Sequence, residues 1–257
     1  MLFPSIFELE SKVINNLKSI SSIPIYTIGP VIPYLSLKHS PSSSFTNHNN
    51  DHYMKWLDNQ PSSSVLYISQ GSFLSTSTAQ LEEITYGLKE SGVRFLWIAR
   101  EESLKLKETC GDVGLILPWC DQLKVLSHSA IGGFWSHCGW NSTREGAFSG
   151  VPFLAFPLIM DQPLNTKLIV EDWKIGWRVK EKEFREDVLV TRHEIAGLLR
   201  KFMDLNSDEG RELRKRAKEV KQICKLAVED GGSSEVNINL FLRDLLQSGN
   251  EVWVPLD

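Results

Sequence analysis

Short apolar runs alternate with helical segments along most of the chain. The runs predict β-strands over 65–69, 95–99, 114–117, 130–135, 153–156 and 175–179. Between them, the spacing of apolar positions predicts helices over 78–90, 122–126, 142–148 and 163–171. Continuous apolar strands that alternate with helices are typical of a parallel sheet covered by helices on both faces. The predicted fold class is therefore α/β, with a Rossmann-like parallel sheet.

The flanking segments follow other patterns. A helix over 5–19 precedes a short β-like run over 25–28, and residues 38–52 are polar, rich in Ser and Asn and aperiodic, which indicates a flexible linker. Charged amphipathic segments predict the last helices over 192–203, 210–229 and 235–247. We therefore divide the chain into four segments: the remnant of a preceding domain over 1–37, a linker over 38–52, an α/β domain over 53–232, and a C-terminal helix and tail over 233–257.

Composition and charge exclude several classes of protein. The 257 residues are 42% hydrophobic and 23% charged, as in an ordinary globular protein, and the net charge of −4 disfavours a nucleic-acid partner. The four cysteines lack metal-ligand spacing, so no zinc site is predicted. The first residues do not resemble a signal peptide, and no apolar run reaches the roughly 18 residues of a membrane span. We expect a cytoplasmic protein.

The stretch 119–162 concentrates the candidate chemistry. The apolar strand over 130–135 ends in a polar cluster that is followed at once by a helix. A helix N-terminus favours an anion, phosphate above all, and His137, Asn141 and Ser142 add side-chain donors. The alternative is structural, because Ser142 and Glu145 also match the spacing of a capping box, which merely satisfies the start of a helix. The spacing alone leaves both interpretations open.

Two further positions in this stretch have a functional and a structural interpretation. Trp119, at a predicted strand end, offers a flat face on which a nucleobase can stack, although a lone tryptophan often belongs to the core. Asp161 and Gln162 follow an apolar run and are able to hydrogen-bond sugar hydroxyls. They equally suit a turn and a helix cap before Pro163.

Taken together, these residues resemble the signature box of the plant secondary-product UDP-glycosyltransferases. The matching features are W-x-x-Q from Trp119, the core H-C-G-W-N-S from His137, Glu145 three residues after that serine, G-V-P from Gly150, and the closing D-Q at 161–162. The resemblance begins near residues 26–30 and extends through 56–58 and 65–72 to the C-terminal helix. Many relatives have proline where this chain has Asp121, which should alter the rigidity of the loop slightly and leave the ligand set unchanged.

The resemblance implies a donor site for a UDP-sugar, formed by Ser72, Trp119, Cys120, Gln122, His137, Trp140, Asn141, Ser142, Glu145, Asp161 and Gln162. Within it, Trp119 would stack on uracil, Gln122 would lie beside the base and ribose, and Glu145 would bind the ribose hydroxyls. The diphosphate would be held by Ser72, His137, Asn141 and Ser142. The sugar would contact Trp140, Asp161 and Gln162, and a final Gln usually accompanies glucose. No metal or other cofactor is implied.

The resemblance also implies the architecture and chemistry of the whole family. Its members have the two-domain GT-B fold, in which the N-terminal domain binds the small-molecule acceptor and carries a histidine general base supported by an aspartate. The base deprotonates the acceptor, which displaces UDP with inversion. Residues 1 to about 30 resemble the end of that domain, and no histidine of this chain matches the base. We therefore assign no catalytic residue.

Two hypotheses follow from this resemblance. The chain is part of a UDP-glycosyltransferase acting on a hydroxyl or carboxyl of a small plant metabolite, or it is a UDP-sugar-binding module without turnover. The resemblance implies neither a particular acceptor nor a particular oligomeric state.

Overall fold

A computed structural model describes residues 1–37, 52–71, 77–99, 108, 111–180 and 189–248. The chain divides into two units, one formed by Met1–Pro33 with Val220–Asp257 and the other by Tyr34–Glu219. None of the described helices is both long enough and apolar enough to cross a membrane.

The described strands are short, as expected for an α/β protein. They are β1 (Leu2–Phe3), β2 (Tyr26–Thr27), β3 (Val65–Ser69), β4 (Arg94–Ile98), β5 (Gly114–Leu117), β6 (Ile131–Ser136), β7 (Phe153–Ala155) and β8 (Gly176–Arg178). The predicted bounds of β3 and β5 are confirmed to the residue, and the other predicted strands are confirmed with small shifts at their ends. Among the described strands, only β1 was not predicted from the sequence.

The helices follow the predicted pattern with two differences, which are an additional helix over 52–58 and the end of the predicted helix over 163–171. They are α1 (Phe7–Ile20), α2 (His52–Asp58), α3 (Thr78–Ser91), α4 (Gln122–Leu126), α5 (Trp140–Ser149), α6 (Gln162–Lys167), α7 (Arg192–Met203), α8 (Asp208–Val228) and α9 (Ser233–Ser248). The predicted continuous helix over 163–171 is wrong in detail, because α6 passes into a π-helical turn at Leu168–Asp172. There the amide of Trp173 donates to the carbonyl of Leu168 at 2.7 Å, which widens the last turn.

The larger unit contains a six-stranded sheet with the order β5-β4-β3-β6-β7-β8, and every neighbouring pair is parallel. The predicted Rossmann-like parallel sheet is therefore confirmed. β3 lies between β4 and β6, so it has neighbours on both edges. Because all strands run the same way, their carboxyl ends meet at one edge of the sheet, where ligands of open α/β sheets bind.

Burial on both faces explains why the strands are continuously apolar. Leu66 and Ile68 of β3 belong to a core shared with the helices α3 and α7, whose contributions include Leu88 and Leu199. On the other pleat of β3, the ring of Tyr67 stacks on Phe134 at 5.1 Å, and Phe134 in turn contacts Phe153. A strand covered in this way does not alternate apolar and polar positions.

The smaller unit joins the two ends of the chain. β1 and β2 form a two-stranded parallel sheet, and α9 packs on β2. The hydroxyl of Tyr26 donates to the carboxylate of Asp244, and the amide of Asn237 donates to the hydroxyl of Thr27 at 3.1 Å. The edge-on contact between Tyr26 and Phe241 adds apolar burial.

Candidate functional site

The candidate site lies at the carboxyl edge of the sheet in the larger unit. The loops that follow β3, β6 and β7 are neighbours there because the three strands are adjacent in the sheet. The loop after β5 adds Trp119 and Cys120. Every predicted donor residue that the structure describes falls on these loops or on α4, α5 and α6, which begin from them. Ser72 lies outside the described residues, so its placement stays a prediction.

His137 is held between two glycine-containing loops. A Cβ atom added to Gly71 would lie 2.8 Å from Nε2 of His137, and one added to Gly139 would lie 2.5 Å from the same atom. Gly71 also has a φ of +86°, which non-glycine residues rarely adopt. Only glycines allow both backbones to approach the ring this closely. The position of the imidazole is therefore set by β3 and β6 together.

The electrostatics of His137 favour a neutral ring. Burial lowers the pKa of His137, while a hydrogen bond with the backbone of Ser69 and the nearby carboxylate of Asp161 act in the opposite direction. Its Nδ1 atom is buried and has no hydrogen-bond partner among the described residues. A neutral imidazole keeps one N–H, so His137 is able to donate one hydrogen bond at pH 7.

The start of α5 has the geometry that the predicted anion site requires. Cys138 adopts the left-handed conformation, with φ +63°, and Gly139 occupies the N-cap without any side-chain cap. The first amides of a helix have no intrahelical acceptor, so those of Asn141 and Ser142 remain available to a ligand. The amide of Thr143 is different, because it already donates to the carbonyl of Gly139 at 2.9 Å.

The capping-box alternative is wrong. Because Gly139 is the N-cap, Ser142 lies inside the first turn of α5 and does not cap it. Glu145 instead accepts a hydrogen bond from Nε2 of Gln122 at 2.6 Å. The same nitrogen donates to Oγ of Ser142 at 3.0 Å. Glu145 is half-buried, and this burial raises its pKa, while the hydrogen bond from Gln122 lowers it. The structure thus brings three predicted residues together from α4 and α5.

Tyr67 is a member of this cluster that the sequence did not indicate. Its hydroxyl donates to Oε1 of Gln122 at 3.1 Å and lies 3.4 Å from Sγ of Cys120. A tyrosine inside an apolar strand resembles ordinary core, so no sequence signal marked it. Cys120 is itself buried, which raises the pKa of its thiol to about 12. Its side chain therefore contacts the cluster from the protein interior.

Trp119 is an exposed platform and does not belong to the core. Its side chain is 55% exposed, although it directly precedes the buried Cys120. The next residue explains the local geometry. Asp121 caps α4 by accepting from the amide of Lys124 at 3.2 Å, and its own amide donates to the hydroxyl of Tyr53. A proline in place of Asp121 would lack both bonds.

The segment after β7 places Asp161 and Gln162 in different surroundings. Asp161 is exposed, and its carboxylate accepts a hydrogen bond from Nδ2 of Asn165 at 2.7 Å. The same nitrogen donates to the carbonyl of Cys138 at 2.9 Å. Gln162 is buried, and its Oε1 accepts from the amides of Leu158 and Ile159. Because this oxygen is already bonded to the turn that precedes α6, a contact with a sugar would have to come from the amide nitrogen of Gln162.

The remaining predicted residues lie at the first turn of α5. Trp140 is partly exposed, and Asn141 is exposed with its side-chain oxygen accepting from Arg144. Within the described ranges, no group of three or more His, Cys, Asp or Glu side chains is arranged to hold a metal ion.

Sheet order, parallel strands and a helix beginning at the carboxyl edge define a Rossmann-like α/β protein. A family model described as UDP-glucoronosyl and UDP-glucosyl transferase matches residues 46–194, and the chain belongs to this family.

Relatives by sequence agree with that assignment. UDP-glycosyltransferase 87A2 of Arabidopsis thaliana is 53% identical over 247 residues, which cover 95% of this chain and 53% of the relative. Mogroside I-E synthase of Siraitia grosvenorii is 39% identical, with 96% of this chain and 56% of the relative covered. The chain therefore spans about half the length of the curated relatives it matches.

Solved structures give the same picture. Os79 from O. sativa in complex with UDP aligns with a TM-score of 0.81 and 35% identity, covering 95% of this chain and 54% of Os79. Medicago truncatula UGT71G1 complexed with UDP-glucose aligns with a TM-score of 0.80 and 36% identity, covering 95% and 53%. The α/β unit described above thus matches part of GT-B glycosyltransferases.

Proposed function

We propose that this chain is the donor-binding part of a UDP-glycosyltransferase. The whole enzyme would transfer glucose from UDP-glucose to a hydroxyl or carboxyl of a small plant metabolite, with inversion at the anomeric carbon. Support comes from membership of the family and from similarity to a structure complexed with UDP-glucose. The donor's uracil would stack on Trp119, its ribose would lie against Glu145, and its diphosphate would lie against the start of α5.

One observation carries this proposal. Gln122 joins Glu145 and Ser142 through a single amide nitrogen, at 2.6 and 3.0 Å, directly beside the start of α5. A half-buried carboxylate held by an amide is suited to accept hydrogen bonds from a pair of vicinal hydroxyls, as in a ribose. The amides of a helix start only a few residues away are suited to a phosphate. A nucleoside diphosphate combines both groups at this spacing.

In the proposed reaction, residues of this chain stabilise the negative charge that develops on the leaving group, UDP. When the acceptor oxygen attacks the anomeric carbon, the bond to the diphosphate oxygen breaks and negative charge grows on UDP. The amides of Asn141 and Ser142 would stabilise this charge. The family's histidine base, which takes the proton from the acceptor, has no matching position in this sequence, so that step is not assigned to any residue here.

Calorimetric titration of residues 1–257 with UDP tests the donor site. We expect saturable heat and a rise in Tm, because a ligand that binds the native state must stabilise it. Uridine is the control, since it keeps the base and ribose but lacks the diphosphate, and we expect it to bind more weakly. Absence of both heat and stabilisation at millimolar UDP would refute the donor site.

A second candidate function is UDP-sugar binding without turnover by these 257 residues. It is favoured by the coverage of the relatives, of which the chain matches only about half. The test is an assay of UDP release from UDP-glucose in the presence of a broad panel of phenolic and carboxylic acceptors. Acceptor-dependent release would exclude the second candidate, whereas binding without release would support it.

A further inference from the structure

We propose that Tyr67 is a positioning residue for nucleotide recognition: its buried hydroxyl orients the amide of Gln122, which in turn orients Glu145 toward the ribose. This inference rests on the proposed function and adds to it a residue from the interior of the sheet. Tyr67 lies in the central strand β3 and is 1% exposed, so it would act on the donor only through its neighbours.

The orientation of Gln122 follows from the chemistry of its partners. A carboxylate only accepts hydrogen bonds, so the NH₂ end of the amide must face Glu145. The oxygen end then faces the sheet, where the hydroxyl of Tyr67 donates to it at 3.1 Å. Without that hydroxyl, the amide oxygen would face a largely apolar interior with its donor removed. Loss of a buried partner favours rotation of the amide or movement of the side chain.

The hydroxyl of Tyr67 is itself fixed from the other side. Burial raises the pKa of the Cys120 thiol to about 12, so the thiol keeps its proton at neutral pH. The sulfur lies 3.4 Å from the Tyr67 oxygen, and Ser69 is a further hydrogen-bonding neighbour of that oxygen. Because the single hydrogen of the tyrosine hydroxyl is donated to Gln122, we infer that the thiol is the donor in the contact with Cys120. The hydrogen bonds then point in one direction, from Cys120 through Tyr67 and Gln122 to Glu145.

The ring of Tyr67 has a separate function that a mutation can preserve. It stacks on Phe134 at 5.1 Å within the aromatic face of the sheet. Tyr67→Phe removes only the oxygen atom and keeps this packing. The control is Tyr53→Phe, since Tyr53 is also buried, at 3% exposure. Its hydroxyl accepts from the amide of Asp121, which is only one position away from Gln122.

The experiment measures the dissociation constants of UDP and 2′,3′-dideoxy-UDP for wild type, Tyr67→Phe and Tyr53→Phe. If Glu145 binds the ribose hydroxyls, wild type prefers UDP. We expect Tyr67→Phe to reduce this preference by about fivefold or more, as for loss of one buried hydrogen-bond partner. Binding of the dideoxy nucleotide should change by less than about twofold. Tyr53→Phe should leave the preference unchanged, even if it lowers overall stability.

A double-mutant cycle with Glu145→Ala shows whether the two residues act together. We expect Tyr67→Phe to have no further effect on the preference once Glu145 is truncated. An unchanged preference in folded Tyr67→Phe, or equal losses in both backgrounds, would overturn the inference. If Tyr67→Phe does not fold, Gln122→Ala is measured instead, because Tyr67 acts through Gln122, and an unchanged preference there has the same consequence. Wild type that binds neither nucleotide refutes the proposed function, and the inference with it.

Discussion

The two sides of the candidate site are built differently. On the side of α4 and α5, Glu145 is half-buried and receives its hydrogen bond from Gln122, which is bonded in turn to Tyr67. On the side of α6, Asp161 is exposed and its carboxylate accepts from Asn165 alone among the bonds described for it. We infer that the side of α4 and α5, which is the proposed nucleotide side, is preorganised by the sheet. The side of α6, which is the proposed sugar side, would depend more on groups from the ligand.

The largest expected effect comes from removing the carboxylate of Glu145 on the proposed nucleotide side. Glu145→Ala removes the carboxylate that would bind the ribose hydroxyls and leaves the Gln122 amide with one partner fewer. We expect UDP to bind about 10- to 100-fold more weakly, as for loss of charge-assisted hydrogen bonds. Isothermal calorimetry is the measurement, with circular dichroism to verify folding. Full UDP affinity in this variant would show that Glu145 has only a structural function.

A smaller effect is expected from disturbing His137 without changing it. An alanine at position 139 would place its Cβ 2.5 Å from Nε2 of His137, so the ring must move. We expect Gly139→Ala to lower the free energy of unfolding by about 1–3 kcal/mol, as for overpacking, and also to weaken UDP binding. The control is Gly197→Ala in α7, where a Cβ meets nothing within 4 Å. That variant should be neutral or slightly stabilising in urea denaturation.

A mutation on the proposed sugar side should weaken binding of UDP-glucose more than binding of UDP. Asp161→Asn removes the charge and keeps the size of the side chain. We expect binding of UDP-glucose to weaken by about three- to tenfold, while UDP itself changes by less than about twofold. Competition calorimetry with both ligands provides the comparison. Equal losses for UDP and UDP-glucose would mean that Asp161 acts on the diphosphate loop through Asn165, and the distinction between the two sides would fail.

The smallest effect concerns pH. Burial raises the pKa of Glu145, so its carboxylate is neutralised at a higher pH than an exposed glutamate. If Glu145 binds the ribose as proposed, this stabilisation is present above that raised pKa and lost as the pH falls through it. We expect UDP-glucose affinity to decline a few-fold across this acidic range, measured by calorimetry. UDP-glucose is used because its diphosphate does not titrate there.

Glu145→Gln provides the control for pH. A glutamine cannot titrate, so the decline assigned to Glu145 should be absent from this variant. Protonation of His137 on acidification would add a positive charge near the diphosphate and change affinity in the opposite direction. An identical pH profile in wild type and Glu145→Gln would exclude Glu145 as the titrating group.

The domain division predicted from the sequence stays a prediction, as do the ligand contacts of the individual residues.

Where the chain has a strong local sequence pattern, the predicted elements match the structure closely. β3 and α4 have their predicted bounds because a continuous apolar run and a helical period are local properties of the sequence. The capping-box interpretation failed for the opposite reason, since two residues at the correct spacing do not reveal which residue is the N-cap.

By itself, the sequence determined the α/β class, the family resemblance and which polar residues follow the strands. These depend on apolar periodicity and on residues close together along the chain. Only the tertiary structure decided the partners of those residues. It placed the glycine loops after β3 and β6 against His137, turned the oxygen of Gln162 toward its own loop, and brought the buried Tyr67 to Gln122. The physical reason is that hydrogen-bond partners far apart in sequence meet only through the order and register of the strands.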